Sequence, residues 1–349
     1  MREPTLKEIA RCVGVSVNTV SLALRESPRV SEKTRRRVKE AAARTGYRPN
    51  PYVSALMSAV RRNRRAPPAA TLAFLGEHEL SYCQRVHPYI YRFFAGARAR
   101  AEEQGYGVDF LAVGDRPYGR GRLSDILYSR GIQGVLSTWI NPELPSLDLE
   151  WSRFASVVIG LGETTAPVDR VENDQLHSAD ETVERLIAAG HRRIGMVFGW
   201  KNAHRPLFER YSMAFRQALF RHGRPTRDAV YAPEEYSLEG FRRWLERFSP
   251  DAVVGIHSQR MKDLVSLGYA VPAQISFACC DLWDADLAAG IAGIRYRYEA
   301  VGAHSVDLLT GMIRRNQRGC PELPTLTTLP GEWVDGKTIR ARLRAERVR

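Results

Sequence analysis

Residues 5–45 constrain this chain more than any other stretch, because three short helices and one tight turn leave few ways to pack. Thr5 and Glu8 have capping-box spacing, which predicts a helix from Leu6. Leu6, Ile9, Ala10 and Val13 then fall at i, i+3, i+4 and i+7, on one apolar face. Gly14 supplies a turn that a residue with a Cβ makes less readily. Ser16 caps a second helix whose Val20, Ala23 and Leu24 point back to the first. Ser31 caps a third, buried through Val38, Ala41 and Ala42. Ala10, Gly14 and Val20 have the spacing of two helices crossing closely around a turn. That is a helix-turn-helix, whose second helix enters the DNA major groove. Many small three-helix units show such stripes without touching nucleic acid, so charge decides. Residues 1–65 carry 16 Lys and Arg against 5 Asp and Glu, a net +11 of the chain's formal +13. A basic module on a nearly neutral body is the electrostatic footprint of a nucleic-acid binder.

The exposed face at the start of the second helix carries Val17, Asn18, Ser21 and Leu22. Val17 and Leu22 suit thymine methyls, and Asn18 suits adenine, so A·T pairs are expected opposite them. After helix three, Pro49 and Pro51 reset the chain direction. Val53, Leu56, Met57 and Val60 form a further helical stripe of about two turns, too short to persist alone. It needs a partner, its own copy in a dimer or DNA. Arg61–Arg65 and Ala66-Pro67-Pro68 read as a basic, proline-ended linker, with a domain boundary near residue 66.

From residue 70 on, short apolar strands alternate with amphipathic helices. Strands are expected at 71–76, 108–113, 134–138, 156–160, 194–199, 252–257 and 275–280. Helices should end at Gly105, Gly190, Gly223 and Gly268. Repeated strand-helix-Gly units indicate parallel sheets covered on both faces, and about 280 residues suit two similar lobes.

No apolar run approaches the ~18–20 residues that span a bilayer. The N-terminus lacks the apolar segment of a signal peptide. Five cysteines without a C-x-x-C pair suit a reducing cytoplasm, with buried free thiols rather than disulfides or a zinc site. Gly119-Arg-Gly121 and Gly160-Leu-Gly162 lack the third glycine of a dinucleotide site. P-loop, G-x-S-x-G and H-E-x-x-H motifs are missing, so neither catalytic residues, cofactor nor metal is expected. Ligands of open α/β sheets sit beyond the strands' carboxyl ends. His87, Tyr89, Trp139, Trp200, His204, His257, Asp281 and Trp283 stand there, and a carboxylate with aromatic faces suits a hydroxyl-rich molecule.

Thr5-Leu-Lys-Glu-Ile-Ala, Gly14-Val-Ser-Val-Asn-Thr-Val-Ser and Gly46-Tyr-Arg-Pro-Asn-Pro give residues 4–60 a long, ungapped resemblance to the headpiece of the lactose-repressor (LacI/GalR) family. The resemblance implies a homodimeric cytoplasmic transcription factor, a repressor, on a near-palindromic operator. It also implies an α/β chain: a helix-turn-helix headpiece (1–48), a hinge helix and linker (49–66), and a periplasmic-binding-protein-like body (67–349). That body has two doubly wound parallel-sheet lobes, with crossings near 162–170, 286–292 and 322–326 (lobe 1 at 70–163 and 291–323, lobe 2 at 164–290 and 324–340). DNA contacts are implied at Thr5, Leu6, Ser16, Val17, Asn18, Thr19, Ser21, Leu22, Arg25, Arg29, Ser31, Thr34, Tyr47 and Asn50. Leu56 is implied as a minor-groove wedge. Asp281 matches the acid that holds effector hydroxyls. The family's effector-binding arginine falls at Tyr211, with Arg210 one place off, and both are candidate contacts. Several positions depart from the pattern: Leu22 and Ser54 stand where Arg is common, His257-Ser258 replaces Asn-Asp, and Leu282 replaces a second acid. The expected effector is a sugar or sugar derivative between the lobes. A constitutive DNA binder with a ligand-free body, or an enzyme fused to a DNA-binding module, are the competing readings.

Overall fold

The computed structural model describes residues 6–24, 30–45, 70–114, 122–138, 149–160, 167–199 and 205–340, and the chain divides at residue 70 into two compact units. The expected hinge at 49–66, with Leu56, lies outside the described residues, as do Thr5, Arg25, Arg29, Tyr47, Asn50, Trp139, Trp200 and His204.

The first unit contains α1 (Leu6–Val13), α2 (Val17–Leu24) and α3 (Glu32–Thr45). Ile9, Val13, Val20, Ala23, Val30, Val38 and Ala41 are among its core residues. Gly14 has φ 72°, the left-handed region where a Cβ is strained. Its amide and that of Val15 donate to the Ala10 carbonyl at 2.9 and 3.1 Å, closing α1. Ser16 Oγ then accepts from the Thr19 amide at 3.0 Å, which caps α2. Arg37 Nη2 donates to the Val13 carbonyl at 2.9 Å and ties α3 to the end of α1.

The strands of the second unit are β1 (Ala70–Gly76), β2 (Tyr106–Ala112), β3 (Gly134–Ser137), β4 (Ala155–Ile159), β5 (Asp169–Asn173), β6 (Ile194–Val197), β7 (Val230–Tyr231), β8 (Ala252–Gly255), β9 (Ser276–Cys279), β10 (Ala292–Arg295), β11 (Leu326–Leu329) and β12 (Glu332–Val334). Its helices are α4 (Leu80–Val86), α5 (Pro88–Glu103), α6 (Arg122–Ser129), α7 (Gln175–Ala188), α8 (Arg205–Arg221), α9 (Leu238–Phe248), α10 (Gln259–Ser266), α11 (Asp284–Ala288) and α12 (Tyr298–Arg314). One six-stranded sheet has the order β11-β5-β4-β3-β1-β2 and the other β12-β10-β9-β8-β6-β7. Neighbours β1/β3, β3/β4, β4/β5 and β5/β11 run parallel, as do β6/β7, β6/β8, β8/β9 and β9/β10, whereas β12 joins β10 antiparallel. The expected α/β class with two doubly wound sheets is what is found. The helix-ending Gly105, Gly190, Gly223 and Gly268 all take positive φ.

The crossings between sheets differ from expectation. Residues 169–173 and 326–329 belong to the first sheet, and 292–295 to the second. The chain therefore crosses after β5, after β10 and between β11 and β12, several residues later than 162–170, 286–292 and 322–326. The reason lies in β5, whose Asp-Arg-Val-Glu-Asn sequence reads as a polar connection. Its acids find partners inside the protein: Asp169 Oδ1 accepts from the Thr325 amide at 2.7 Å, and Glu172 Oε1 is ion-paired to Arg210. Helices α5 and α12 cross so closely that a Cβ on Gly96 would strike the Glu299 carbonyl, and one on Gly302 the Phe93 carbonyl. The cysteines depart from expectation too. Cys83, Cys279 and Cys280 are buried free thiols, but Cys12 and Cys320 are exposed, on α1 and in the loop beyond α12.

Candidate functional site

In the first unit, the face expected to meet nucleic acid lies on α2. Val17 is an apolar side chain left 40% exposed. Leu22 instead packs half-buried against the headpiece core, with Val15 and Leu24. Asn18 and Ser21 lie on α2, and Leu6 opens α1. The Ser16 and Thr19 hydroxyls bond each other at 2.8 Å, and Ser31 and Thr34 do the same at 2.9 Å, so these four side chains order helix starts. Arg11, Lys33, Arg36, Arg37, Lys39 and Arg44 are exposed, so much of the positive charge faces solvent.

In the second unit, each sheet reverses its winding next to its first strand, between β1 and β3 and between β6 and β8. Ligands of open α/β sheets bind beyond the carboxyl ends of strands at such points. His78 follows β1, His257 follows β8 and Asp281 follows β9. Asp281 is only 7% exposed. Its Oδ2 accepts from the Tyr298 hydroxyl at 2.7 Å, and His257 Nδ1 stands 4.0 Å from the same oxygen. Its Oδ1 is buried without a hydrogen-bond partner. Burial pushes the Asp281 pKa up to about 7, against the pull of the Tyr298 hydrogen bond and the Arg92 charge.

Aromatic rings extend from that carboxylate. Tyr298 stacks on Trp283 with centroids 5.4 Å apart, and Tyr89 lies 6.4 Å from Tyr298. His87 is 5.9 Å from Tyr89 and 6.0 Å from His78. Burial raises Tyr89 to about 12, and burial followed by His78 lowers His87. The Arg92 guanidinium sits 5.6 Å from the Tyr298 centroid and is held by both Glu299 oxygens, at 2.6 and 3.1 Å. Thus His87, Tyr89, His257, Asp281 and Trp283 come together.

Arg210 turns to Glu172, and Tyr211 stands behind Tyr296, where burial raises its pKa and the Asp281 charge is near enough to help. Arg210 Nη1 donates to Glu172 Oε1 at 2.8 Å. Tyr211 is 1% exposed and shares a short hydrogen bond with the Tyr296 hydroxyl. Tyr298, Tyr296, Arg92 and Glu172 are important residues that sequence reasoning missed. The apolar run Ile291–Ile294 was the available signal for Tyr296 and Tyr298, because it is strand β10 and they follow its carboxyl end. Among the described residues, no group of three or more His, Cys, Asp or Glu could hold a metal ion, and no helix is long and apolar enough to cross a membrane.

Comparison with known proteins matches three family profiles. Residues 5–50 match bacterial regulatory proteins of the lacI family, 80–240 match periplasmic binding proteins and the sugar binding domain of the LacI family, and 183–339 match a periplasmic binding protein-like domain. The chain is 24% identical over 198 residues to the HTH-type transcriptional regulator MalR of Streptococcus pneumoniae, covering 56% of this chain and 57% of MalR. The chain thus spans little over half the length of that curated relative. It is 26% identical over 274 residues to the HTH-type transcriptional repressor CytR of Escherichia coli, covering 76% of this chain and 73% of CytR. Two solved structures share the fold. A transcriptional regulator CelR-cellobiose complex has TM-score 0.60 and 22% identity, over 96% of this chain and 99% of that one. A lac repressor dimer bound to operator and the anti-inducer ONPF has TM-score 0.57 and 21% identity, over 97% and 100%.

Proposed function

We propose that this chain, which matches the lacI family of bacterial regulatory proteins over residues 5–50 and the sugar binding domain of that family over 80–240, is a cytoplasmic, homodimeric transcriptional repressor controlled by a small molecule. The observation that carries the DNA-binding half is the α1–Gly14–α2 unit under a net +11 over residues 1–65. The relatives named above are regulators too. A homodimer presents two headpieces to a near-palindromic operator, in keeping with helix-turn-helix geometry. The effector half rests on Asp281 with one unsatisfied oxygen beside ring faces. A sugar or sugar derivative fits that acceptor through its hydroxyls. Binding measured at several salt concentrations on selected duplexes tests the first half. A steep fall of log K with log salt is expected, and a flat line would remove phosphate neutralisation as the main term.

One observation favours a constitutive body without a ligand. Arg210 and Tyr211 are both engaged within the protein, so two expected contacts are already satisfied. A metabolite that shifts the melting temperature of the full chain rules that reading out.

A further inference from the structure

The charges around Asp281 do not cancel. Glu299 is neutralised by Arg92, and Asp284 lies 3.8 Å from Arg295. Asp286 Oδ2 accepts from the Trp283 amide at 2.9 Å, at the start of α11, where a carboxylate is favoured. Asp281 has one phenol as donor, an imidazole nitrogen at 4.0 Å and, among the described residues, no ion pair with Lys or Arg. A buried carboxylate with a free oxygen is costly until a donor, and preferably a positive charge, meets it. A hydroxyl supplies the hydrogen bond without the charge, and an anion adds repulsion. Ring faces stand beside it. Trp283 and the Arg92 guanidinium already lie against Tyr298, which leaves the half-buried Trp283 and Tyr89 to meet a ligand. Faces of Trp and Tyr attract cations through their quadrupoles.

We propose that the ligand of this body carries a cationic nitrogen, an ammonium or amidinium, that pairs with Asp281 beside Trp283 and Tyr89. This rests on the reading of the body as a ligand-controlled unit. It narrows the ligand from any hydroxyl-rich molecule to an amine-bearing one, such as an amino sugar or an aliphatic amine. The tyrosine at position 211, where the resemblance puts a guanidinium, agrees with it, because one fixed positive charge fewer then competes for Asp281.

The test titrates the full-length protein with matched probes, read by melting temperature and calorimetry. One set is glucose, glucosamine and glucuronate; the other is cyclohexanol, cyclohexylamine and cyclohexanecarboxylate. The amine of a set should bind tightest, and Asp281→Asn should weaken it about 10- to 100-fold, the range of a charge-assisted hydrogen bond. Trp283→Leu should weaken the amine more than its alcohol partner, and it keeps the test open if Asp281→Asn does not fold. A neutral or acidic probe that binds as tightly as the amine overturns the cationic class but leaves ligand control standing. An Asp281→Asn protein that keeps the parent's amine affinity overturns it likewise. If no probe shifts the melting curve, the amine class falls, and ligand control is then decided by the wider metabolite screen.

Discussion

Arg210 Nη1 donates to Glu172 Oε1 at 2.8 Å, joining helix α8 to strand β5 of the first sheet. α8 packs on β6 of the second sheet, so this ion pair spans the two lobes. Glu172 is 1% exposed, its Oε2 has no partner, and burial pushes its pKa up to about 7 against the charges of Arg210 and Arg170. Removing the arginine alone leaves a buried carboxylate without its strongest compensation. Arg210→Met should therefore cost about 1–3 kcal/mol, below the range for fully buried pairs because Arg210 is partly exposed. The double variant Glu172→Gln with Arg210→Met should recover much of that loss in chemical denaturation. Additive losses would show that the two side chains do not couple.

Asp281 makes stability depend on pH. Its folded-state pKa, about 7, lies above the ordinary value of 3.8, so folding favours the protonated carboxyl. The contribution is fully present below about pH 4 and is lost as pH rises to about 7, for about 2–4 kcal/mol in all. Asp281→Asn, which carries no titrating proton, should flatten that part of the curve of unfolding free energy against pH. An unchanged slope would mean that the carboxyl does not titrate in this window.

Leu22 packs against the headpiece core. Leu22→Ala should lower headpiece stability by about 1–2 kcal/mol, less than a full core truncation because the side chain is only half-buried. Val17→Ala, at an exposed position, should leave the melting temperature unchanged within error and alter the consensus recovered from randomised duplexes. The opposite pattern, in stability or in consensus, would return base reading to Leu22.

Gly302→Ala places a methyl against the Phe93 carbonyl at the α5–α12 crossing, and neither backbone can retreat without unpacking the first lobe. A loss of about 2–4 kcal/mol is expected, in the range of overpacked cores and above. Gly105→Ala is the control: it meets nothing within 4 Å but sits at φ 81°, so its cost is backbone strain alone, about 1–2 kcal/mol.

Much of the fold could be read from apolar runs bounded by glycine. The strands that begin at Ala70, Gly134, Ala155, Ile194, Ala252 and Ser276 all fall within the expected segments or one residue from them. The β5 strand could not be read that way. Its Asp169, Arg170 and Glu172 look solvated in sequence, and only partners far along the chain, Thr325 and Arg210, make their burial tolerable. That one omission displaced the expected crossings. A second, β10, hid Tyr296 and Tyr298, so half of the environment of Asp281 went unread. Asp281 itself was legible because it directly follows an apolar run ending in two cysteines. Tyr211 was legible as a departure, but its pairing with Tyr296 depends on a contact 85 residues away in sequence.

The last two strands bear on how the polypeptide is made. Leu326–Leu329 is the outer strand of one sheet, and Glu332–Val334, two residues later, is the outer strand of the other. Neither sheet can therefore finish until residues 326–334 have left the ribosome. The first lobe waits for its edge although its opening strand was made some 250 residues earlier. At a synthesis rate of about 5–20 residues per second, each sheet stands with an open edge for many seconds, a period in which a chaperone or a second nascent copy can meet it. A premature stop before residue 326 would not spare one lobe at the expense of the other; it would strip both.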